Sequence, residues 1–190
     1  MTKIDALKLW QMDIFAKHTQ HRPQIHGVWI EAAPQGGAFM VATDGVVMGV
    51  MYDPSARCDR SLLIQLERTM LTECKKGGEL HCDGPGQVTL TRRGEAVTIA
   101  PHGAKDVAYP DWRRVVLDWT AAPEGPSPEW GFGMEYLARF ARISQRVRLF
   151  GKGGDAATVL TEREDFFGMI MPARSHGPKG IPFNFDRGRV

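Results

Sequence analysis

Apolar residues recur along the chain at two alternating periods, and the alternation is written three times. Ile4, Leu7, Trp10, Ile14 and Phe15 fall three and four apart with Lys3, Lys8, Asp13 and Lys17 between them, which predicts an amphipathic helix over residues 4–17. Apolar and β-branched runs at 27–33, 38–43 and 46–52 then predict three strands. The first two are separated by Pro34-Gln35-Gly36-Gly37. The last two are separated by Asp44-Gly45, whose glycine tolerates the positive φ of a tight hairpin turn.

The second round opens with a helix expected from an N-cap at Ser61 or Asp59. It carries Leu62, Leu63, Leu66, Met70 and Cys74 on one face and stops at Gly77-Gly78. Strands at 79–83, 87–92 and 95–100 follow, punctuated by Gly84-Pro85-Gly86 and Arg93-Gly94. Residues 116–129, rich in Ala, Pro, Gly and Glu, can bury little and read as a linker. A third helix at 134–143 turns Met134, Leu137, Phe140, Ala141 and Ile143 inward and Glu135, Arg139 and Arg142 outward. Strands at 146–150, 156–161 and 166–171 close the set. Gly151-Lys152-Gly153-Gly154 lacks the order of a phosphate-binding loop and reads as a turn. One helix and three strands, repeated three times, predict an α+β architecture with helices on one face of antiparallel sheets.

Composition narrows the function classes. The 190 residues suffice for one good core or a domain and a half, and no apolar run reaches the roughly 18 residues of a membrane span. The N-terminus carries Asp5 where a signal peptide needs an apolar stretch, so the protein is expected to be soluble and cytoplasmic. Cys58, Cys74 and Cys82 are odd in number and lack C-x-x-C spacing, as reduced thiols do. His18, His21 and His26 lie close together, but no Cys or carboxylate pair completes a ligand set, and neither a metal nor another cofactor is expected. No G-x-S-x-G, H-E-x-x-H or other catalytic constellation occurs, which points away from an enzyme. Charge is unevenly placed. Segments 3–17, 60–76 and 134–148 together carry +6 in a chain whose total is +2, which leaves −4 for all the rest. A basic helix face of this kind suits attraction to phosphates without base contacts, although exposed helices are charged in any case.

Three stretches carry more specific information. Val41-Ala42-Thr43-Asp44-Gly45, Tyr109-Pro110-Asp111-Trp112-Arg113-Arg114-Val115 and Met169-Ile170-Met171-Pro172-Ala173-Arg174 occur in that order. Together they resemble the bacterial sliding clamp, the β subunit of DNA polymerase III, whose chains carry V-A-T-D-G, F-P-D-Y-R-R-V and a terminal M-P-M-R-L. Gly131-Phe132-Gly133-Met134-Glu135-Tyr136-Leu137 is similar to that family's G-F-N-x-x-Y-L, and Ile25-His26-Gly27 stands where it often has L-N-G. The resemblance covers most of residues 4–174. Residues 1–115 look like the clamp's complete middle domain, and 130–174 like the second half of its last domain. The clamp's first domain and the first half of its last domain have no counterpart, and the tail at 175–190 runs past the usual end.

The resemblance implies the DNA clamp fold, in which such units line a central hole with helices and form the outer wall with sheets. It implies a non-enzymatic replication or repair factor that associates with duplex DNA of any sequence. It also implies an apolar groove for short peptides of DNA polymerase or repair proteins, with Ile25, Thr43, Val46, Met48, Pro110, Arg114, Val115, Met169, Met171 and Pro172 at the matching positions; Val46 stands where the family often has His. Lys8, Lys17, Arg68, Lys75, Arg139 and Arg142 are the residues expected to face phosphates. Clamp rings contain twelve units, so three per chain imply a homo-oligomer, with a tetrameric ring joined head to tail as its closed form. The alternative is an adaptor that never encircles DNA and competes for clamp-binding peptides.

Overall fold

The chain opens as a strand rather than as the helix expected from residue 4. Thr2 and Ile4 are buried while Lys3 and Asp5 are not, the period of two that defines β1, Thr2–Asp5. Asp5 is extended and its carboxylate accepts from the backbone N–H of Leu7 (2.7 Å) and Lys8 (3.1 Å). This cap starts α1, Ala6–Asp13, which continues as a 3₁₀ turn, Ile14–Ala16. In the computed structural model residues 1–116, 130–151 and 154–174 are described; the expected linker beyond 116, the tail at 175–190, and Lys152 and Gly153 lie outside them.

The first meander follows as β2 (Val28–Ala32), β3 (Ala38–Thr43) and β4 (Val47–Asp53). A second correction comes next. Leu62, Leu63 and Ile64, expected as the first turns of a helix, form a fully buried strand β5 (Leu62–Ile64) between two others, and α2 begins only at Arg68 and runs to Cys74. A short apolar run has the same appearance in a buried strand as in a buried helix, and the slot between neighbouring strands decided it. β6 (Glu79–Cys82), β7 (Gly86–Arg92) and β8 (Glu95–Lys105) complete the second unit, β8 running five residues beyond its expected end. The third unit comprises β9 (Trp130–Gly131), α3 (Met134–Phe140), β10 (Arg148–Phe150), β11 (Ala157–Leu160), β12 (Phe166–Ile170) and β13 (Ala173–Arg174). The short strands β9 and β13 carried no periodic signal.

All strands except β9 and β13 join one antiparallel sheet in the order β1-β6-β7-β8-β5-β2-β3-β4-β12-β11-β10. The third unit therefore attaches through β12 to the edge of the first meander. The main core lies between this sheet and the helices, and its aromatic centre is Phe15, with Phe140 at 5.1 Å and Phe166 at 5.8 Å between ring centroids. Gly49 and Gly168 face each other across the β4·β12 junction. A Cβ on Gly49 would meet the Phe15 ring at 2.8 Å, and one on Gly168 the Phe140 ring at 2.3 Å. The two glycines are what let both rings lie against the seam.

Candidate functional site

On the face of the sheet away from the helices, Val41, Met48, Val50, Trp112 and Met169 form a second apolar cluster. Its position follows from register. Met48 pairs with Met169 across β4·β12, one step from the Gly49·Gly168 pair, so alternation sends the thioethers outward and leaves the glycines beneath the phenyl rings. Thr158 Oγ1 donates to Met169 Sδ at 3.3 Å. Met171 N donates to Val46 O at 2.8 Å, which ties the end of β12 to the hairpin tip.

That tip is built by side chains. Asp44 Oδ1 accepts from Val46 N (2.8 Å) and Val47 N (3.0 Å). Thr43 Oγ1 accepts from Gly45 N and donates to Val47 O. Gly45 has φ +92°, which the turn requires and L side chains rarely adopt. A third wall comes from a 3₁₀ turn, Trp112–Val115, capped by Asp111. Trp112 is buried beside Phe39 and Phe167, and its indole N–H donates to Glu31, which also accepts from Trp29 and Arg113. Tyr109 stacks on Trp29 at 5.1 Å, and burial pushes its phenol well above the usual range.

These walls enclose an open, mainly apolar cavity of about 430 Å³. Its floor, Met48 and Met169, is almost inaccessible, whereas Met171 (45% exposed) and Val115 (51%) stand at the rim. The size and lining suit a short peptide or small organic ligand.

The helix face is less basic than the charge count implied. Arg139 is a correction: it is 6% exposed, its Nη1 lies 2.7 Å from Asp44 Oδ2, and it also donates to Phe15 O. Buried and paired, it does not face solvent. Lys8 is similarly held, between Asp53 at 3.3 Å and Asp165 at 3.4 Å. Arg163, and then Lys8, keep the Asp165 carboxyl below its ordinary value. Arg142 donates to Trp10 O at 2.9 Å and lies 4.4 Å from the Trp10 ring centroid, while Lys75 lies 5.4 Å from the same ring. Burial pushes the nearby Asp13 carboxyl up, and Arg142 and Lys17 pull it back. Lys17, Arg68 and Lys75 are exposed. Among the described residues no three metal-ligating side chains converge, and no helix is long and apolar enough to cross a membrane.

Solved structures share the fold. DNA polymerase III subunit beta from Borrelia burgdorferi, in complex with a natural product, superposes with a TM-score of 0.67 at 11% identity, over 91% of this chain and 63% of that one. The β subunit of DNA polymerase from Streptococcus pyogenes gives 0.66 at 16%, over 91% and 65%. The DNA polymerase sliding clamp of Bacillus subtilis gives 0.66 at 16%, over 92% and 64%. The chain has the sliding-clamp fold. It spans less than two thirds of the length of those three clamps. No protein-family model and no curated protein matches its sequence.

Within the clamp fold, the sequence-derived groove residues Ile25, Thr43, Val46, Met48, Pro110, Val115, Met169 and Met171 all line the one cavity. Arg114 and Pro172 do not: Arg114 is 84% exposed and pairs with Asp111 on the outside of the 3₁₀ turn, and Pro172 lies beyond the rim. Arg22, Gln24, Tyr109, Trp112 and Ala156 line it as well. Tyr109 and Trp112 belong to a motif already singled out, but Ala156 enters only because β11 packs beside β12, which no local pattern reveals.

Proposed function

We propose that this chain is a non-enzymatic, clamp-like factor of DNA replication or repair that recruits partners through the Met48–Met169 cavity and associates with duplex DNA through its helix face. The observation that carries the reading is the cavity itself: an apolar pocket at the seam between the first and third units, walled by the three stretches that resemble the clamp motifs. Thioether lining adapts to several related peptides. A labelled peptide with a Gln followed by spaced Leu and Phe is expected to bind, and Met171→Ala to weaken it by about 1–2 kcal/mol, as removal of an anchor side chain does. Fluorescence anisotropy reads this directly; no binding up to millimolar peptide, or equal binding by the variant, overturns the pocket.

DNA association rests on Lys17, Arg68, Lys75 and the partly buried Arg142. Charge reversal at Arg68 and Lys75 together is expected to lower affinity for duplexes of any sequence and to reduce the slope of log K against log salt by about one for each phosphate no longer neutralised. Retention on duplex DNA that is the same for variant and parent at every salt concentration removes this role. The engagement of Arg139 and Lys8 by carboxylates favours a second reading, an adaptor that binds clamp-type peptides without encircling DNA. For a closed ring, twelve units would require four copies of this three-unit chain.

A further inference from the structure

His26, one of the three histidines that cluster after the first helix, has a fixed tautomer. Thr19 Oγ1 donates its one proton to the carbonyl of Ala16 at 2.6 Å, so toward His26 Nδ1, at 2.9 Å, it can only accept. The imidazole proton is therefore on Nδ1, and Nε2 keeps a lone pair that accepts from no group among the described residues. Burial, and then the charge of Lys105, hold the ring below its usual range, so it is neutral at pH 7.

Register brings this histidine to a cavity. Val28 pairs with Ile64 across β2·β5, so the residue two before β2 lies beside Gln65 and Leu66, which follow β5. Gln65 N donates to Gly103 O at 2.7 Å and draws the end of β8 to the same place. Between β8 and the start of α2 lies a cavity of about 460 Å³, with His26, Gln65, Leu66, Met70 and Lys105 in its lining. Leu66 and Met70 are buried and give it an apolar surface. Lys105 donates to Gln65 Oε1, a neutral partner, and among the described residues no carboxylate pairs with this half-buried ammonium. With Oε1 turned to Lys105, the Gln65 NH₂ group remains as a free donor. A second cavity of about 330 Å³ has His26, Gln65 and Leu66 in its lining too and extends to Lys17 and His18.

The geometry points to a nucleotide as the ligand of the larger cavity, with its base edge on His26 and Gln65 and its phosphate on Lys105. A lone-pair acceptor beside an amide donor matches the edge of a nucleobase, where an N–H stands next to a ring nitrogen or a carbonyl oxygen. Leu66 and Met70 suit the flat face of the ring. A half-buried ammonium is costly without a counter-ion, and a phosphate supplies the missing charge. Inorganic phosphate alone would leave the apolar surface unused and set its oxygens against the Nε2 lone pair. A neutral nucleoside would leave Lys105 unmatched. Glu67, exposed in the lining, is an acceptor for sugar hydroxyls. A free nucleotide and one nucleotide of a single strand share this chemistry. The site is separate from the Met48–Met169 cavity and does not depend on peptide binding there.

Calorimetric titration of the full chain with the four deoxynucleoside monophosphates tests this. At least one is expected to bind with a dissociation constant below about 1 mM, and about tenfold more tightly than its nucleoside or inorganic phosphate. Lys105→Gln should weaken the nucleotide about tenfold and leave the nucleoside unchanged, while Gln65→Leu should weaken both. Far-UV circular dichroism checks that the variants fold. Nitrogen-15 NMR of the parent needs no variant: His26 is expected to be protonated on Nδ1, and its Nε2 resonance to move when the nucleotide is added. A short single-stranded oligonucleotide separates the two sources. Tighter binding than the mononucleotide, with the same dependence on Lys105, assigns the site to a strand; none that depends on Lys105 assigns it to the free nucleotide. No heat from any nucleotide up to about 10 mM, equal binding by Lys105→Gln, inorganic phosphate as tight as the nucleotides, or an unmoved Nε2 resonance overturns the proposal. Peptide affinity should be the same in Lys105→Gln as in the parent, so failure of this site and failure of the peptide cavity are distinguishable.

Discussion

Gly168→Val is expected to prevent the third unit from docking on the first. The added Cβ would sit 2.3 Å from the Phe140 ring and 2.9 Å from the carbonyl oxygen of Met48, one obstacle movable and the other part of the sheet. Alanine at 168 already introduces that Cβ and should cost about 2–3 kcal/mol by overpacking, with valine worse because its branches have no free direction. Urea unfolding of Gly168→Ala, Phe140→Leu and the double variant forms a cycle that separates the two obstacles. A coupling that partly restores stability in the double variant is expected, since the shortened side chain relieves the ring contact but not the carbonyl. Strict additivity, or a cost for Gly168→Ala below about 0.5 kcal/mol, would show that the ring does not rest on this strand. Gly49→Ala should be milder, because its nearest neighbours are the edge of the Phe15 ring and the flexible end of Met12.

The second large effect is expected at Arg139. Arg139→Met leaves the Asp44 carboxylate, 8% exposed, without its ion partner, and breaking one side of a buried pair costs about 3–5 kcal/mol. Asp44→Asn in the same chain should recover part of that loss: the amide carries no charge to strand, and its oxygen can still accept from Val46 and Val47 to keep the turn. Chemical denaturation of the two single variants and the double variant measures this. Under conditions where Arg139→Met remains folded, its affinity for duplex DNA should match that of the parent, because the side chain never reaches the surface. A selective loss of DNA binding with unchanged stability would return Arg139 to the helix face.

These two sites mark where local sequence stops being informative. The hairpin at Asp44-Gly45 is legible because its chemistry is local: a glycine takes positive φ in the turn, and a carboxylate accepts from N–H groups two and three residues on. The repeat of helix and meander is legible from periodicity for the same reason. Strand β5 was not, since Leu62-Leu63-Ile64 satisfies a helix face and a buried strand equally. Nor was β1, where Ile4 and Leu7 fit a helical spacing although a cap at Asp5 divides them. Arg139 sits on the polar side of its helix by spacing, yet that side faces Asp44 from a hairpin about 95 residues earlier. The seam glycines give no signal, because a strand glycine matters only through the ring that another segment lays upon it.

The seam also orders events during synthesis. β4 ends at Asp53 and its outer neighbour β12 begins at Phe166, so more than a hundred residues must be made before that side of the strand finds its hydrogen bonds. Until then a growing chain presents Val47 to Asp53 as an open, apolar margin, with Gly49 offering a flat spot beneath Phe15, a shape well suited to templating a neighbour's strand. The first two units can close upon each other at once through β1·β6 and β2·β5. The nascent molecule therefore passes through a stage that is structured but adhesive, and anything that delays arrival of residues 166–170 prolongs its exposure to other nascent chains.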